Sequence, residues 1–335
     1  MCVRVPTSLA TMPLDTPSSQ PLPRVLAIVG PTASGKSALG SAIAERIGGE
    51  IIAIDSRTIY RGLTIGTAKP ARDLELNQSY SCGCSYWSGG ILHHGIDRLD
   101  PTEVCSVAVF KNVAEICLAG IIERGQVPIL VGGAGQYSDA ILSPTTLPSC
   151  PPNDAIRVAL ERLTLAEQVA ELTKRDPVTA TVIDLHNPRR VARALEIVMA
   201  TGKPRSVREK LPSPYRPLQI GLCLPTEELW QKIEARIDSQ LAAGLELEVR
   251  TLVNKYGWNA PALQSIGYRE WQPFFAGEAT LAETRRRLIY ATRHYAKRQM
   301  TWFRKNTSLY WFDRGTTTRQ EIFDRVQNFL TFEQE

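Results

Sequence analysis

An apolar run at Val25–Val29 (VLAIV) leads straight into GPTASGKS at Gly30–Ser37, and the residues that follow, Ala38–Ile47, read as a helix. A strand feeding a glycine-rich loop that ends in Lys-Ser and opens a helix is a phosphate cradle. Gly30 and Gly35 let the backbone take positive φ, so that successive N–H groups turn inward onto anionic oxygens. The helix N-terminus adds partial positive charge, Lys36 a point charge, and Ser37 a hydroxyl suited to Mg²⁺. The whole loop (Gly30, Pro31, Thr32, Ala33, Ser34, Gly35, Lys36, Ser37) is therefore the expected diphosphate site, with Lys36 and Ser37 supporting catalysis and Ser37 as the expected metal ligand.

Ile51–Ile54 is a second apolar run, rich in isoleucine as a buried parallel strand should be. It delivers Asp55, Ser56, Arg57 and Thr58 to the carboxyl rim of a sheet, where open α/β sheets bind ligands. Val127–Val131 is a third run and ends in Gly132-Gly133-Ala134-Gly135, where a double glycine lets backbone approach a ligand closely. Leu218–Leu222 is a fourth. Helices are expected over Val107–Arg124, Asp154–Lys174, Pro188–Ala200, Thr226–Ala243, Glu246–Lys255 and Leu281–Trp302, with Thr201-Gly202-Lys203-Pro204 as a helix stop. Leu76–Gly95 reads as irregular, and the proline-rich Ser143–Asn153 as a linker. The fold class expected is α/β: a parallel sheet flanked by helices, formed by residues 24–145 and 218–315, with a small helical insertion at 146–205 and a helical C-terminal part.

Composition narrows the function classes. The chain has 335 residues, 43% hydrophobic and 22% charged, which is ordinary for a globular protein of two or so domains. No run approaches the ~18 apolar residues of a membrane helix. Residues 1–23 are rich in Pro, Ser and Thr and lack the apolar core of a secretion signal, so a disordered extension is expected, with an organelle transit peptide as the alternative. The seven cysteines are odd in number and lack zinc-type spacing, which suggests reduced thiols and a cytoplasmic protein. The net charge of +5 is mild, yet the stretch from Arg285 to Lys305 carries eight Lys/Arg and no acid. Such a helix suits a polyanionic partner, the alternative being a solvated basic face.

GPTASGKS, DSRTIYRGLTIGTAKP, HHGID, VGGAGQY, NPRRVARALEI, TGKP, IGYRE and ATRHYAKRQMTWFRKN occur in the order seen in tRNA dimethylallyltransferases, and the chain resembles that family from about Arg24 to Trp311. The resemblance implies a P-loop kinase-like core with a helical insertion that grips a tRNA anticodon stem-loop. It implies transfer of dimethylallyl from dimethylallyl diphosphate, rather than phosphoryl transfer from the ATP such loops usually bind, onto N6 of adenosine at position 37. It adds Arg236 as a diphosphate-binding arginine and a monomeric enzyme. Asp55 becomes the candidate base for the amine proton, the alternative being a Mg²⁺-positioning carboxylate. Asp55–Thr58 and Ala134 would contact the flipped adenosine, while Arg157 and Arg189, Arg190, Val191, Ala192 and Arg193 would hold tRNA. His93 and His94 are read as loop ties, and Tyr295, Trp302 and Phe303 as packing residues.

Two positions depart from the family pattern. Thr58 stands where most members have Gln, and Ala134 where VGGTG would supply a threonine hydroxyl near the transferring group. Either Thr58 or a water substitutes, or the rate falls. Three other readings stay open at this level: an adenylate isopentenyltransferase acting on free AMP, ADP or ATP, a small-molecule P-loop kinase, and a non-catalytic RNA-binding relic.

Overall fold

The computed structural model describes residues 21–77, 85–143, 150, 153–205 and 211–331. The first half runs β1 (Arg24–Val29), α1 (Lys36–Ile47), β2 (Glu50–Ile54), α2 (Leu74–Asn77), β3 (Ser85–Ser88), β4 (Ile91–His94), α3 (Val107–Glu123), β5 (Pro128–Gly132) and α4 (Gly135–Leu142). Four helices follow: α5 (Asp154–Glu161), α6 (Leu165–Arg175), α7 (Pro177–Val182) and α8 (Pro188–Thr201). The chain then adds β6 (Arg216–Cys223), α9 (Thr226–Ala242), α10 (Leu245–Tyr256), α11 (Gln272–Phe275), α12 (Leu281–Phe303), β7 (Leu309–Asp313) and α13 (Arg319–Thr331).

Seven strands form one sheet in the order β3-β4-β2-β5-β1-β6-β7, parallel except for the antiparallel edge strand β3. Alternation along β1 explains why the central strands carry no polar face. Val25 and Ala27 pack into a core with α3, α9, α10 and α12, whereas Leu26 and Ile28 pack on the opposite face against α1 and α13. Buried on both sides, such strands read as unbroken apolar runs. The order also places the carboxyl ends of β1, β2 and β5 side by side, which brings Gly30–Ser37, Asp55–Thr58 and Gly133–Ala134 to one rim.

The sheet is larger than its four apolar runs indicate. Within the stretch expected to be irregular, Ser85–Ser88 and Ile91–His94 form a hairpin on the sheet edge; residues 78–84 lie outside the described residues. Here His94 ties strands rather than a loop, with Nε2 2.5 Å from Glu50 and Nδ1 2.6 Å from Ser85 Oγ. At the opposite edge β7 pairs with β6, and α13 covers it; neither announces itself as an apolar run. The expected helix Asp154–Lys174 is two helices. Thr164 caps α6 through a reciprocal capping box with Glu167, so the chain stops and restarts there. Residues 1–20, Cys82 and Cys84, and most of the Ser143–Asn153 linker lie outside the described residues.

Helices α5 to α8 gather around a core of their own, built on Leu160, Leu172, Val191, Ala194 and Leu195. The basic helix is less bare than its sequence, because acids on α9 and in its own first turn offset it. On α9, Asp238 takes Arg285 at 2.6 Å and Glu234 takes Arg293, while Arg286 sits 3.8 Å from Glu283. Among the described residues no helix is long and apolar enough to cross a membrane.

Candidate active site

The glycine-rich loop between β1 and α1 has the backbone a phosphate cradle requires. Gly30 lies at φ 145° and Gly35 at φ 87°, with Ala33 between them at φ 63°. A side chain on Gly30 would place Cβ 2.4 Å from the Leu222 carbonyl oxygen, so close packing as well as conformation demands glycine. Ser34 is wholly buried and its hydroxyl has no partner among the described residues. Lys36 is buried and donates to the Pro31 carbonyl at 2.5 Å. Burial, and then the Arg236 charge, push its pKa from 10.5 down to about 7 against the pull of Asp55.

Asp55 follows β2 directly. Its Oδ1 accepts the backbone N–H of Arg57 at 2.7 Å and that of Thr58 at 3.4 Å, which folds Asp55–Thr58 into a turn on the aspartate side chain. Thr58 is 7% exposed, and its hydroxyl has no partner among the described residues.

Arg236 comes from α9, 204 residues from the loop, and donates to Thr32 Oγ1 at 3.2 Å and to the Thr67 carbonyl at 3.3 Å. Its burial depresses its pKa, while Asp55 opposes that shift. The Thr64–Gly66 backbone leading to Thr67 is clamped in turn. The Glu248 carboxylate accepts the N–H groups of Thr64, Ile65 and Gly66 at 2.7–3.1 Å and the Tyr268 hydroxyl at 2.7 Å.

Two cavities open onto these groups. One, of about 360 Å³, is lined by the loop residues Ala33, Lys36 and Ser37 together with Ala53, Thr58 and His93. The other, of about 160 Å³, is lined by Ser56, Arg57, Gln240, Leu245, Ile266 and Leu288. Thr32, Asp55, Thr67, Arg236 and Tyr295 line both. Asp55 therefore stands between the two cavities, with the phosphate cradle on one side and, on the other, a space lined by Ser56, Arg57 and Gln240 as well as Leu245, Ile266 and Leu288.

Mg²⁺ fits the groups present. Ser37 and Asp55 line the same cavity, and among the described residues no cluster of three His, Cys, Asp or Glu exists that could hold a metal by protein ligands alone. A sparse donor set of that kind suits Mg²⁺, which keeps waters and takes oxygens from its substrate.

Several sequence expectations change here. Ala134 caps α4 without a side-chain bond and packs on the core, lining neither cavity. Val191 is fully buried, so its side chain is not offered to a partner, and Ala192, half-buried, packs on the same helical core. Arg157 and Arg193 both grip Glu196, a carboxylate only 2% exposed, at 2.8 and 2.6 Å, which makes them pillars of the insertion. Arg189 is exposed with no ion pair among the described residues, and Arg190 is exposed with Asp184 4.0 Å away. Phe303 packs as expected, but Trp302 is 45% exposed and donates to Asp139 at 2.9 Å, while Tyr295 lines both cavities.

Tyr295, Gln240 and Gln299 were not legible as site residues. Leu288, Thr292, Tyr295 and Gln299 recur at helical spacing on one face of α12. That periodicity was available, but it is the same signal a core stripe produces.

A family model described as IPP transferase matches residues 58–306. The tRNA dimethylallyltransferase of Roseiflexus sp. (strain RS-1) is 43% identical over 287 residues, covering 84% of this chain and 90% of that protein. The one from Moorella thermoacetica is 38% identical over 313 residues, covering 91% and 94%. Among solved structures, a tRNA isopentenylpyrophosphate transferase from Bacillus halodurans matches with TM-score 0.66 at 36% identity, covering 92% of this chain and 95% of that one. A eukaryotic dimethylallyltransferase described as acting on tRNA matches with TM-score 0.76 at 25% identity, covering 93% and 81%.

Proposed function

The chain belongs to the IPP transferase family, and on that premise we propose that it moves a dimethylallyl group from dimethylallyl diphosphate to N6 of adenosine at position 37 of tRNA, releasing diphosphate. The observation that carries this reading is the position of Asp55 between the two cavities. A phosphate-bearing donor enters on the cradle side, and a flipped base enters from the other.

The loop N–H groups, Lys36 and Arg236 hold the diphosphate where its charge grows as the allylic C–O bond breaks. Ser37 would hold a Mg²⁺ ion, which would supply further neutralisation of that leaving group. The adenine amine is a weak nucleophile because its lone pair is delocalised into the ring. As the N6–carbon bond forms, one amine proton passes to the Asp55 carboxylate, which the turn at Arg57–Thr58 holds in place. Reaching that nitrogen requires the base to leave the anticodon-loop stack. The basic surface of α12 and Arg189 on the insertion hold the stem-loop backbone, and one chain supplies every group, so a monomer suffices.

A single-turnover reaction of the purified protein with dimethylallyl diphosphate and an anticodon stem-loop, read by nucleoside mass spectrometry, tests the proposal. N6-isopentenyladenosine is the expected product. ATP turnover with indifference to the allylic donor would assign a kinase instead. Prenylation of free AMP without the stem-loop would assign an adenylate transferase.

A further inference from the structure

The cradle-side cavity continues past Asp55 along one face of β2. Ile51, Ala53 and Asp55 alternate along the strand and so share that face, and all three line the cavity. Val131 lies opposite Ala53 on β5, and His93 lies opposite Ile51 on β4. Below the aspartate, then, the wall is Ala53, Val131 and Ile51, with Ile96 beside them. This stretch of wall carries no charged side chain.

His93 stands at its lower end, 6% exposed and lining the cavity, and its ring has no hydrogen-bond partner among the described residues. Tyr86, itself buried, lies beside it on β3, with ring centroids 6.4 Å apart and planes 22° from parallel. The ring is neutral, since burial and then the neighbouring His94 push its pKa down to about 4. From the level of Ala53 to that of Ile51 and His93 is two residues, roughly 7 Å at ~3.3 Å per residue. That is the reach of one isoprene unit and short of two.

We infer that this slot seats the hydrocarbon end of the allylic donor and that His93 closes it, so that His93 sets the length of donor the enzyme accepts. The inference rests on the prenyl-transfer reading and deepens it. Diphosphate anchored in the cradle, with the reacting carbon beside Asp55, leaves the apolar wall of β2 for the tail and the opposite cavity for the base. A longer tail would have to enter the volume of the imidazole.

The test compares dimethylallyl and geranyl diphosphate as donors to an anticodon stem-loop. Wild-type protein is expected to use the five-carbon donor and to reject the ten-carbon one. His93→Ala should raise the geranyl-to-dimethylallyl ratio of kcat/KM on the order of tenfold or more, the scale on which apolar pockets discriminate by size. His93→Leu, which refills the space, should keep the five-carbon preference. Ala53→Leu, which narrows the slot from its side wall, should raise KM for dimethylallyl diphosphate while leaving stem-loop affinity unchanged, and it serves if His93→Ala does not fold. An unchanged donor ratio in a folded His93→Ala protein overturns the inference, as does an Ala53→Leu protein with unchanged donor KM. A His93→Ala effect confined to the stem-loop KM would place the base in the slot and overturn it too. If wild-type protein transfers nothing from dimethylallyl diphosphate, the functional reading itself fails, and that result is distinct from a wild-type enzyme whose selectivity ignores His93.

Discussion

Gln299 accepts the backbone N–H of Thr32 at 2.8 Å across 267 positions of sequence. The same amide donates through Nε2 to the Gly133 carbonyl at 2.9 Å. One side chain on the last long helix thus spans the phosphate cradle and the loop after β5. A Cβ on Gly133 would fall 2.0 Å from that Nε2, so the glycine is part of the joint.

The side-chain amide supplies both the acceptor and the donor that this joint uses. Gln299→Leu leaves the Thr32 N–H and the Gly133 carbonyl unpaired, at ~1–3 kcal/mol for an orphaned buried group. A urea melt should read that loss, and kcat should fall as the cradle loosens. Gln299→Glu keeps the acceptor but sets a carboxylate against the Gly133 oxygen, so it should rescue little. Full activity in Gln299→Leu would show the joint to be dispensable.

Asp55→Asn keeps the turn, because an amide oxygen still accepts the Arg57 and Thr58 N–H groups. It removes the acceptor for the amine proton. A general base contributes ~10²–10⁴-fold, so single-turnover rates should fall by that factor while donor binding is retained. A variant that instead loses Mg²⁺-dependent donor binding would identify Asp55 as a metal-positioning carboxylate.

Lys36 makes the free protein and its donor complex respond oppositely to pH. Its folded pKa of about 7 lies below the ordinary lysine value of 10.5, with burial the main cause. Between those values the unfolded chain binds a proton that the folded chain does not, so stability of the free protein should rise as pH rises through that window. Diphosphate favours the charged amine, so its binding should take up a proton and weaken above about pH 7. Calorimetry of diphosphate binding in two buffers of different ionisation enthalpy reads the uptake. Lys36→Met should abolish it along with turnover, with tRNA affinity little changed.

On the insertion, the arginines should divide by partner rather than by position. Arg189→Glu should weaken tRNA binding, flatten its salt dependence by about one counterion, and leave the melting curve unchanged. Arg193→Ala leaves buried Glu196 with one fewer guanidinium and removes a hydrogen bond to the Cys150 carbonyl, so it should destabilise the helical insertion. Filter binding over a salt series, paired with thermal melts, separates the two. Identical behaviour of both variants would dissolve the distinction.

The parts legible in advance were those written in contiguous residues. The cradle from Gly30 to Ser37, the segment Asp55–Thr58 and the double glycine at the end of β5 each sit at the carboxyl end of an apolar strand, and each stands on the rim that placement implied. Strand β7 was missed because LYWFD carries no unbroken aliphatic run, its pairing with β6 supplying the order. The break at Thr164 was missed because the helical spacing of apolar residues continues across it, and only the capping box interrupts the chain.

The sequence by itself determined that a phosphate cradle and a carboxylate would share one sheet edge, since strand, loop and helix propensities act over a few residues at a time. Tertiary structure alone decided what surrounds them. Tyr295 and Gln299 reach the cradle from more than 200 residues away, and Glu196 chose which arginines were consumed in support. Those outcomes depend on which distant groups share a buried space. There, desolvation makes each pairing strong and each unpaired group costly, and no local pattern in the chain carries that information.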